Sequence, residues 1–127
     1  MFLVIAGTLK GMFALTASMS YYLYAYPTDM RKSFYTLSGI VTNLMRRNVQ
    51  DGEVFIFINR LCTSMKVLDM ECGGLLIYHM RLESGTFTLP VFDEETNTFH
   101  TSWQDLMMMV RGVSTEGYRR KKRWEKV

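Results

Sequence analysis

Apolar side chains recur every three or four residues after Pro27, and this spacing predicts the longest helix of the chain. The apolar positions are Met30, Phe34, Leu37, Ile40, Val41, Leu44 and Met45. They share one face of a helix, with basic and small polar residues on the opposite face. Thr28 is a suitable N-cap, and Asp29 suits the positive end of the helix dipole. We therefore expect an amphipathic helix of about 18 residues that ends near Asn48.

Shorter apolar runs predict strands on either side of this helix. Residues 54–58 are all apolar strand formers, so both faces of that strand must be covered and it is expected at the centre of a sheet. Residues 65–71 and 75–82 predict two strands joined by a tight turn at Cys72-Gly73-Gly74. The remaining predicted strands are 21–24, which is rich in aromatics, and 86–89, which alternates polar and apolar residues.

A second helix is predicted near the end of the chain. Thr101-Ser102-Trp103-Gln104 has a capping-box pattern. The apolar stripe that follows is Trp103, Leu106, Met107 and Val110, and Gly112 ends the helix. The element order is thus β-α-β-β-β-β-α. It predicts an α+β fold in which a small antiparallel β-sheet, a meander, is packed by two helices and followed by a disordered basic C-terminal tail.

Charge is distributed unevenly along the chain. Residues 118–127 carry six cations against one carboxylate, a net +5, whereas residues 1–117 carry nine cations and eleven carboxylates, a net −2. A charged end of this kind is typical of an interaction tail. Lys10 and Gly11 interrupt the apolar start of the chain, so neither export nor membrane insertion is expected and the protein is predicted to be cytoplasmic.

Few residues have the character of a catalytic or metal site. The two histidines, His79 and His100, lack an accompanying nucleophile motif, and Cys62 and Cys72 lack the paired spacing of a zinc site. A two-metal nuclease needs converging carboxylates. The carboxylates available for this are Asp29, Asp69, Glu71, Glu83 and Asp105. Asp29 is better explained by the helix start, and Asp69 with Glu71 by the exposed end of a hairpin. We expect no enzymatic activity, no cofactor and no metal.

Basic residues form the candidate site, which is one for nucleic acid. In the tail, cations that could neutralise phosphates are interleaved with aromatics that could stack on bases. The tail candidates are Arg119, Arg120, Lys121, Lys122, Arg123 and Trp124. The candidates in the body are Arg31, Lys32, Arg46, Arg47, Arg60 and Lys66. A solvated tail and a solvated helix face are the alternatives to binding.

Three blocks of sequence resemble the TnpB-type accessory proteins of the insertion-sequence sixty-six family. They are residues 26–34 (YPTDMRKSF), 52–60 (GEVFIFINR) and 81–90 (RLESGTFTLP). Met70 stands where the family often has tryptophan. The resemblance implies a bacterial, non-catalytic accessory role in DNA transposition, beside a separate transposase and a second small accessory protein. It also implies that residues 1–11 are an N-terminal extension or a misassigned start. The charge pattern then separates one α+β domain (12–117) from the basic tail (118–127).

Two functions follow from the residues and the resemblance together. The first is an accessory protein of DNA recombination that binds DNA at the element ends, the transposase, or both. The second is an assembly factor that contacts only protein, its tail docking on an acidic surface. A metal-dependent nuclease is the least favoured alternative.

Overall fold

The computed structural model describes residues 15–50, 52–92 and 95–111. The elements are β1 (Ser20–Tyr24), α1 (Phe34–Asn43), β2 (Glu53–Ile58), β3 (Ser64–Glu71), β4 (Gly74–Arg81), β5 (Thr98–Thr101) and α2 (Trp103–Arg111). The strands form one sheet in the order β4-β3-β2-β1-β5. The α+β class, the mostly antiparallel sheet and the two helices are confirmed.

The centre of the sheet is the run predicted to be covered on both sides. Residues 54–58 of β2 are all fully buried. One face of β2 packs through Val54, Ile56 and Ile58 against a cluster that includes Leu106 and Met109 of α2. The other face packs against α1, where side chains of the helix meet those of β2 and β3: Leu37, Val41, Met45, Phe55, Phe57 and Leu68.

One pair of strands departs from a simple meander. β1 and β2 are parallel, because α1 carries the chain back across the sheet before β2 begins. The pairs β2–β3 and β3–β4 are antiparallel, as predicted. Cys72 and Gly73 connect β3 to β4 with φ values of 53° and 80°, the pair of positive φ values that a two-residue hairpin requires.

The prediction of a strand at residues 86–89 is wrong, although its two apolar side chains are buried as the alternation implied. Phe87 and Leu89 are buried, but the backbone there bonds outside the ladder, with the Phe87 N–H donating to the Cys62 carbonyl at 2.8 Å. The fifth strand is β5, which pairs antiparallel with β1. It lies where the sequence was interpreted as the end of a loop and the beginning of the second helix.

Helix α1 is shorter than predicted and lies across the strands. It begins after Ser33 and ends at Asn43. Near the start of the helix, the Lys66 Nζ of β3 donates to the Lys32 carbonyl at 2.7 Å. Just after its end, the Asn97 Nδ2, beside β5, donates to the Leu44 carbonyl at 2.7 Å. Ten residues span about 15 Å, which matches the three strand spacings of about 4.8 Å between β3 and β5.

Candidate nucleic-acid interface

The segment predicted as the start of the long helix is instead a turn with its own internal bonds. The Thr28 N–H donates to the Ile58 carbonyl at 2.9 Å, which ties the segment to the end of β2. The Asp29 carboxylate accepts the Arg31 backbone N–H at 2.9 Å, and the Asp29 carbonyl accepts the Lys32 N–H at 3.1 Å. These bonds fix residues 27–32 against the sheet before α1 begins.

A second turn follows β2 and is organised by one side chain. The Asn59 Oδ1 accepts the backbone N–H groups of Thr63 and Ser64 at 2.8 and 2.9 Å. Its Nδ2 donates to the Thr63 hydroxyl at 3.0 Å. The tip of this turn presents Arg60 and Leu61 to solvent, and 62% of Leu61 is exposed. Asn59 therefore positions the tip through these hydrogen bonds.

The two turns enclose a surface groove of about 550 Å³. Its lining includes Asp29 and Lys32 from the first turn and Asn59, Arg60 and Leu61 from the second. Lys66 reaches the same region, because its ammonium group donates to the carbonyl of Lys32. We call Arg31, Lys32, Arg60 and Lys66 the basic edge; these four come from three separate segments of the chain.

Two residues that sequence reasoning did not select lie next to the basic edge. His79 pairs with Lys66 across the β3–β4 ladder, and Arg81 pairs with Ser64. Desolvation, followed by the charges of Lys66 and Arg81, lowers the pKa of His79 below its usual value. The alternation of side chains along the two strands of the hairpin was the available signal, since it places residues two apart on one face.

Arg31 shares its charge with a carboxylate. Its guanidinium forms a two-pronged ion pair with Asp29, with an Nη2–Oδ2 distance of 2.6 Å. The hydrogen bonds from the Arg31 side chain and backbone hold the pKa of Asp29 well below its usual range. Since 91% of the Arg31 side chain is exposed, the pair sits in water and is easily exchanged for another anion.

The other predicted body cations lie beyond the opposite end of α1. Arg47 is half-buried: its guanidinium binds Glu53 with an Nη2–Oε2 distance of 3.0 Å and lies 3.8 Å from the centroid of the Tyr22 ring. The Glu53 carboxylate raises the pKa of Arg47. Arg46 is exposed, with a φ of 59°. The structure thus separates the six predicted body cations into two groups.

The tail candidates lie outside the described residues, so Arg119, Arg120, Lys121, Lys122, Arg123 and Trp124 stay a prediction. The same holds for the proposed boundaries at residues 11 and 117.

One carboxylate is placed differently from expectation. Asp69 was expected at the exposed end of a hairpin, but it is fully buried. The alternation of β3 turns it to the α2 side of the sheet, where its ladder partners are Val54 and Leu76. Burial, followed by the nearby Asp69 charge, raises the pKa of Tyr78 to about 12. Within the described ranges no group of three or more His, Cys, Asp or Glu residues converges into a metal site.

A small α+β domain with a basic edge is the class of protein that these features define. Comparison with known proteins gives the family. The chain matches the family described as "IS66 Orf2 like protein" over residues 19–120 and belongs to it. That family indicates an accessory role associated with transposition of an insertion sequence.

Two curated relatives come from Sinorhizobium fredii (strain NBRC 101917 / NGR234), and both are named as uncharacterized proteins. The protein y4jC is 25% identical over 95 residues, which cover 75% of this chain and 80% of y4jC. The protein y4hO is 33% identical over 63 residues, which cover 50% of this chain and 55% of y4hO. No solved structure matches the chain. Neither described helix has the length and apolar character needed to cross a membrane.

Proposed function

We propose that this protein is a non-catalytic accessory factor of DNA transposition that binds the phosphate backbone of DNA through the basic edge. Its partners are DNA at the element ends, the transposase and a second small accessory protein. The observation that carries the proposal is the convergence of Lys32, Arg60 and Lys66 from three segments beside one groove.

The physical argument rests on the charge of this region and on its rigidity. The groove lining carries Lys32 and Arg60 against the carboxylate of Asp29, and Arg31 and Lys66 lie beside it. Such an excess of cations attracts a polyanion, which releases counterions when its phosphates are neutralised. The two turns are held by internal hydrogen bonds, so little conformational freedom is lost on binding. α1 also points its positive end toward this edge, and its first turn contains no acidic residue. The basic tail would add contacts of the same kind.

Fluorescence anisotropy with duplex DNA tests the proposal. The full chain is titrated with the terminal repeat of the element and with a scrambled duplex across a salt series. Substituting Lys32 and Arg60 together by Ala should weaken binding to both duplexes. It should also reduce the log–log salt slope by about 0.9 for each phosphate that the protein no longer neutralises. A chain that ends at Gly117 measures the contribution of the tail.

Arg111→Ala is the matched control. Arg111 is an exposed cation at the end of α2, on the opposite side of the sheet, so its removal should leave the affinity unchanged. A preference for the terminal repeat would indicate base or shape readout. Absence of binding to either duplex at low salt would contradict the proposal.

A protein-only assembly factor is the second candidate. The observation that favours it is the outer surface of α1, where 93% of Tyr35 is exposed. Association with the transposase in the absence of any DNA binding would distinguish this candidate from the first.

A further inference from the structure

The outward surface of α1 has the composition of a protein interface rather than of an ordinary solvated helix. The helix sequence FYTLSGIVTN contains no charged residue. Leu37 and Val41 face the core, so the side chains about half a turn away face solvent. Exposed hydrophobic side chains occur at both of its ends: Phe34 is 46% exposed, Tyr35 is 93% exposed and Leu44, directly after the helix, is 47% exposed. Depletion of charge together with exposed aromatics is typical of the centre of protein–protein interfaces.

A glycine lies at the middle of this surface. The helical neighbours of Gly39, three and four residues away, are Tyr35, Thr36, Thr42 and Asn43, and all of them line one shallow groove of about 660 Å³. Four residues around a recess form the hole that accepts a side chain from a second helix.

The described part of the molecule supplies no packing reason for this glycine. A Cβ built on Gly39 would meet the Asn43 Nδ2 at an ordinary 3.9 Å, and Gly39 is not at positive φ. Glycine weakens a helix interior, so a larger residue would fit and would favour the helix. The recess therefore suits close approach by something outside the described residues.

Charges at the two ends of α1 select the occupant. Residues 28–49 carry four cations, two before and two after the helix, against the single carboxylate of Asp29. Arg31 pairs with Asp29 and Arg47 with Glu53, so one cation at each end, Lys32 and Arg46, adds a positive charge that these pairs do not balance. The exposed cations of this rim are Arg31 and Arg46. If a second copy of this chain docked on the same surface, the two basic rims would lie close together and repel each other, which disfavours a second copy as the occupant. A partner helix with an apolar face and acidic flanking residues is complementary to both parts of this surface. Its apolar face contacts the uncharged centre, and its acidic flanks contact the basic rim.

We propose that the outer surface of α1 docks an acidic-flanked amphipathic helix of the transposase, with an apolar side chain of that helix seated over Gly39. This inference rests on the proposed accessory role, because it takes the transposase as the partner. It concerns a ligand class different from that of the basic edge and a surface that adjoins the basic edge at Arg31.

Binding of the full chain to the purified transposase of the same element is measured by microscale thermophoresis, together with the Tm of every variant. Gly39→Leu should raise the Tm by roughly 3 °C, since leucine favours the helix. The same substitution should weaken transposase binding tenfold or more, because the leucine side chain fills the recess. A higher Tm together with weaker binding distinguishes an interface role of Gly39 from a structural role, for which the substitution would lower the Tm. Tyr35→Ala should weaken binding about tenfold without lowering the Tm, as an exposed interface anchor does.

Charge reversal tests the rim. Arg46→Glu should weaken binding about threefold, and the loss should shrink at high salt. The matched control is Arg111→Glu, which makes the same change of charge at the end of α2 and should leave binding unchanged. DNA anisotropy of Gly39→Leu and Tyr35→Ala should match that of the unmodified chain, because neither substitution changes a cation.

Three outcomes would overturn the inference. The first is transposase binding that is indifferent to Gly39→Leu, Tyr35→Ala and Arg46→Glu. The second is no transposase binding at micromolar concentrations. The third is self-association that Tyr35→Ala abolishes, which would make a second copy the occupant. In each case, retained DNA binding through the basic edge and a continued requirement for the protein in a transposition assay would leave the proposed function standing.

Discussion

Both ends of α1 carry basic residues, and the two ends use them differently. Before the helix, Lys32 meets Arg60 at one groove, and Lys66 donates to a backbone carbonyl rather than to a carboxylate. After the helix, the guanidinium of Arg47 is held between Glu53 and the Tyr22 ring. The same residue type thus lines an open groove at one end and joins an internal contact at the other.

The difference shows that a count of cations does not give the charge available to a ligand. An arginine that already binds a carboxylate and an aromatic face must give up both contacts before it binds phosphate. Arg47 therefore stays a weaker candidate for a phosphate contact than Lys32. Substitutions at the two ends should therefore differ in how much stability and how much DNA affinity they cost.

The largest effect is expected at the turn that positions Arg60. Asn59→Ala removes the acceptor of two backbone N–H groups, those of Thr63 and Ser64, and should lower the free energy of unfolding by about 2 kcal/mol. Chemical denaturation measures the change. Asn59→Asp keeps the acceptor oxygen, so it should cost clearly less. Equal losses for the two substitutions would show that the turn does not depend on these bonds.

A smaller loss is expected at the other end of the helix. Arg47→Ala removes the half-buried contacts with Glu53 and Tyr22 and should lower the free energy of unfolding by about 1 kcal/mol. Its effect on DNA affinity should be small compared with that of the Lys32 and Arg60 double substitution. The reverse pattern, unchanged stability with a large loss of DNA binding, would place Arg47 in the interface and remove the distinction.

Periodicity predicted which side chains are buried better than it predicted which backbone groups pair. Of the predicted apolar face of the long helix, Leu37, Val41 and Met45 are buried, whereas Phe34 and Leu44 are exposed. Phe87 and Leu89 of the predicted fifth strand are also buried. The helix start and the fifth strand were misplaced because both depend on partners that are distant in sequence. The Thr28 N–H is committed to the Ile58 carbonyl, and the Phe87 N–H to the Cys62 carbonyl.

The candidate site shows the same limit. Sequence reasoning selected Lys32, Arg60 and Lys66 one by one as basic residues, and nothing local indicated that they meet. Their convergence depends on how the turn before α1 and the turn after β2 lie against β3, which one sequence does not specify. Arg81 could have been found, because the predicted turn at residues 72–74 sets the register of the hairpin in which Arg81 pairs with Ser64.

Substituting Arg46 by glycine should increase stability, whereas substituting its neighbour Arg47 by alanine should decrease it. Its φ of 59° lies in the left-handed region, which glycine occupies without a steric cost. Arg46→Gly should therefore raise the free energy of unfolding by about 0.5 kcal/mol, the relief of strain being partly offset by the added freedom of the unfolded chain. Arg46→Ala, which keeps the Cβ, should not produce this gain. A loss with glycine would mean that the Arg46 side chain stabilises the fold.

The smallest effect is expected from His79, beside the basic edge. Its pKa is lowered in the folded protein by desolvation and by the charges of Lys66 and Arg81, so below about pH 6.5 the unfolded chain binds this proton more readily than the folded one. The contribution of His79 to stability is therefore present at neutral pH and is lost as the pH falls through the lowered pKa.

Comparing the midpoint of denaturation at pH 7.5 and pH 5.5 for the unmodified chain and for His79→Gln isolates this contribution. The substituted chain should lose less stability on acidification. An equal loss in both would mean that other groups account for the acid dependence. If the folded protein does take up the proton, the added charge beside Lys66 should strengthen DNA binding, and that gain should be absent in His79→Gln.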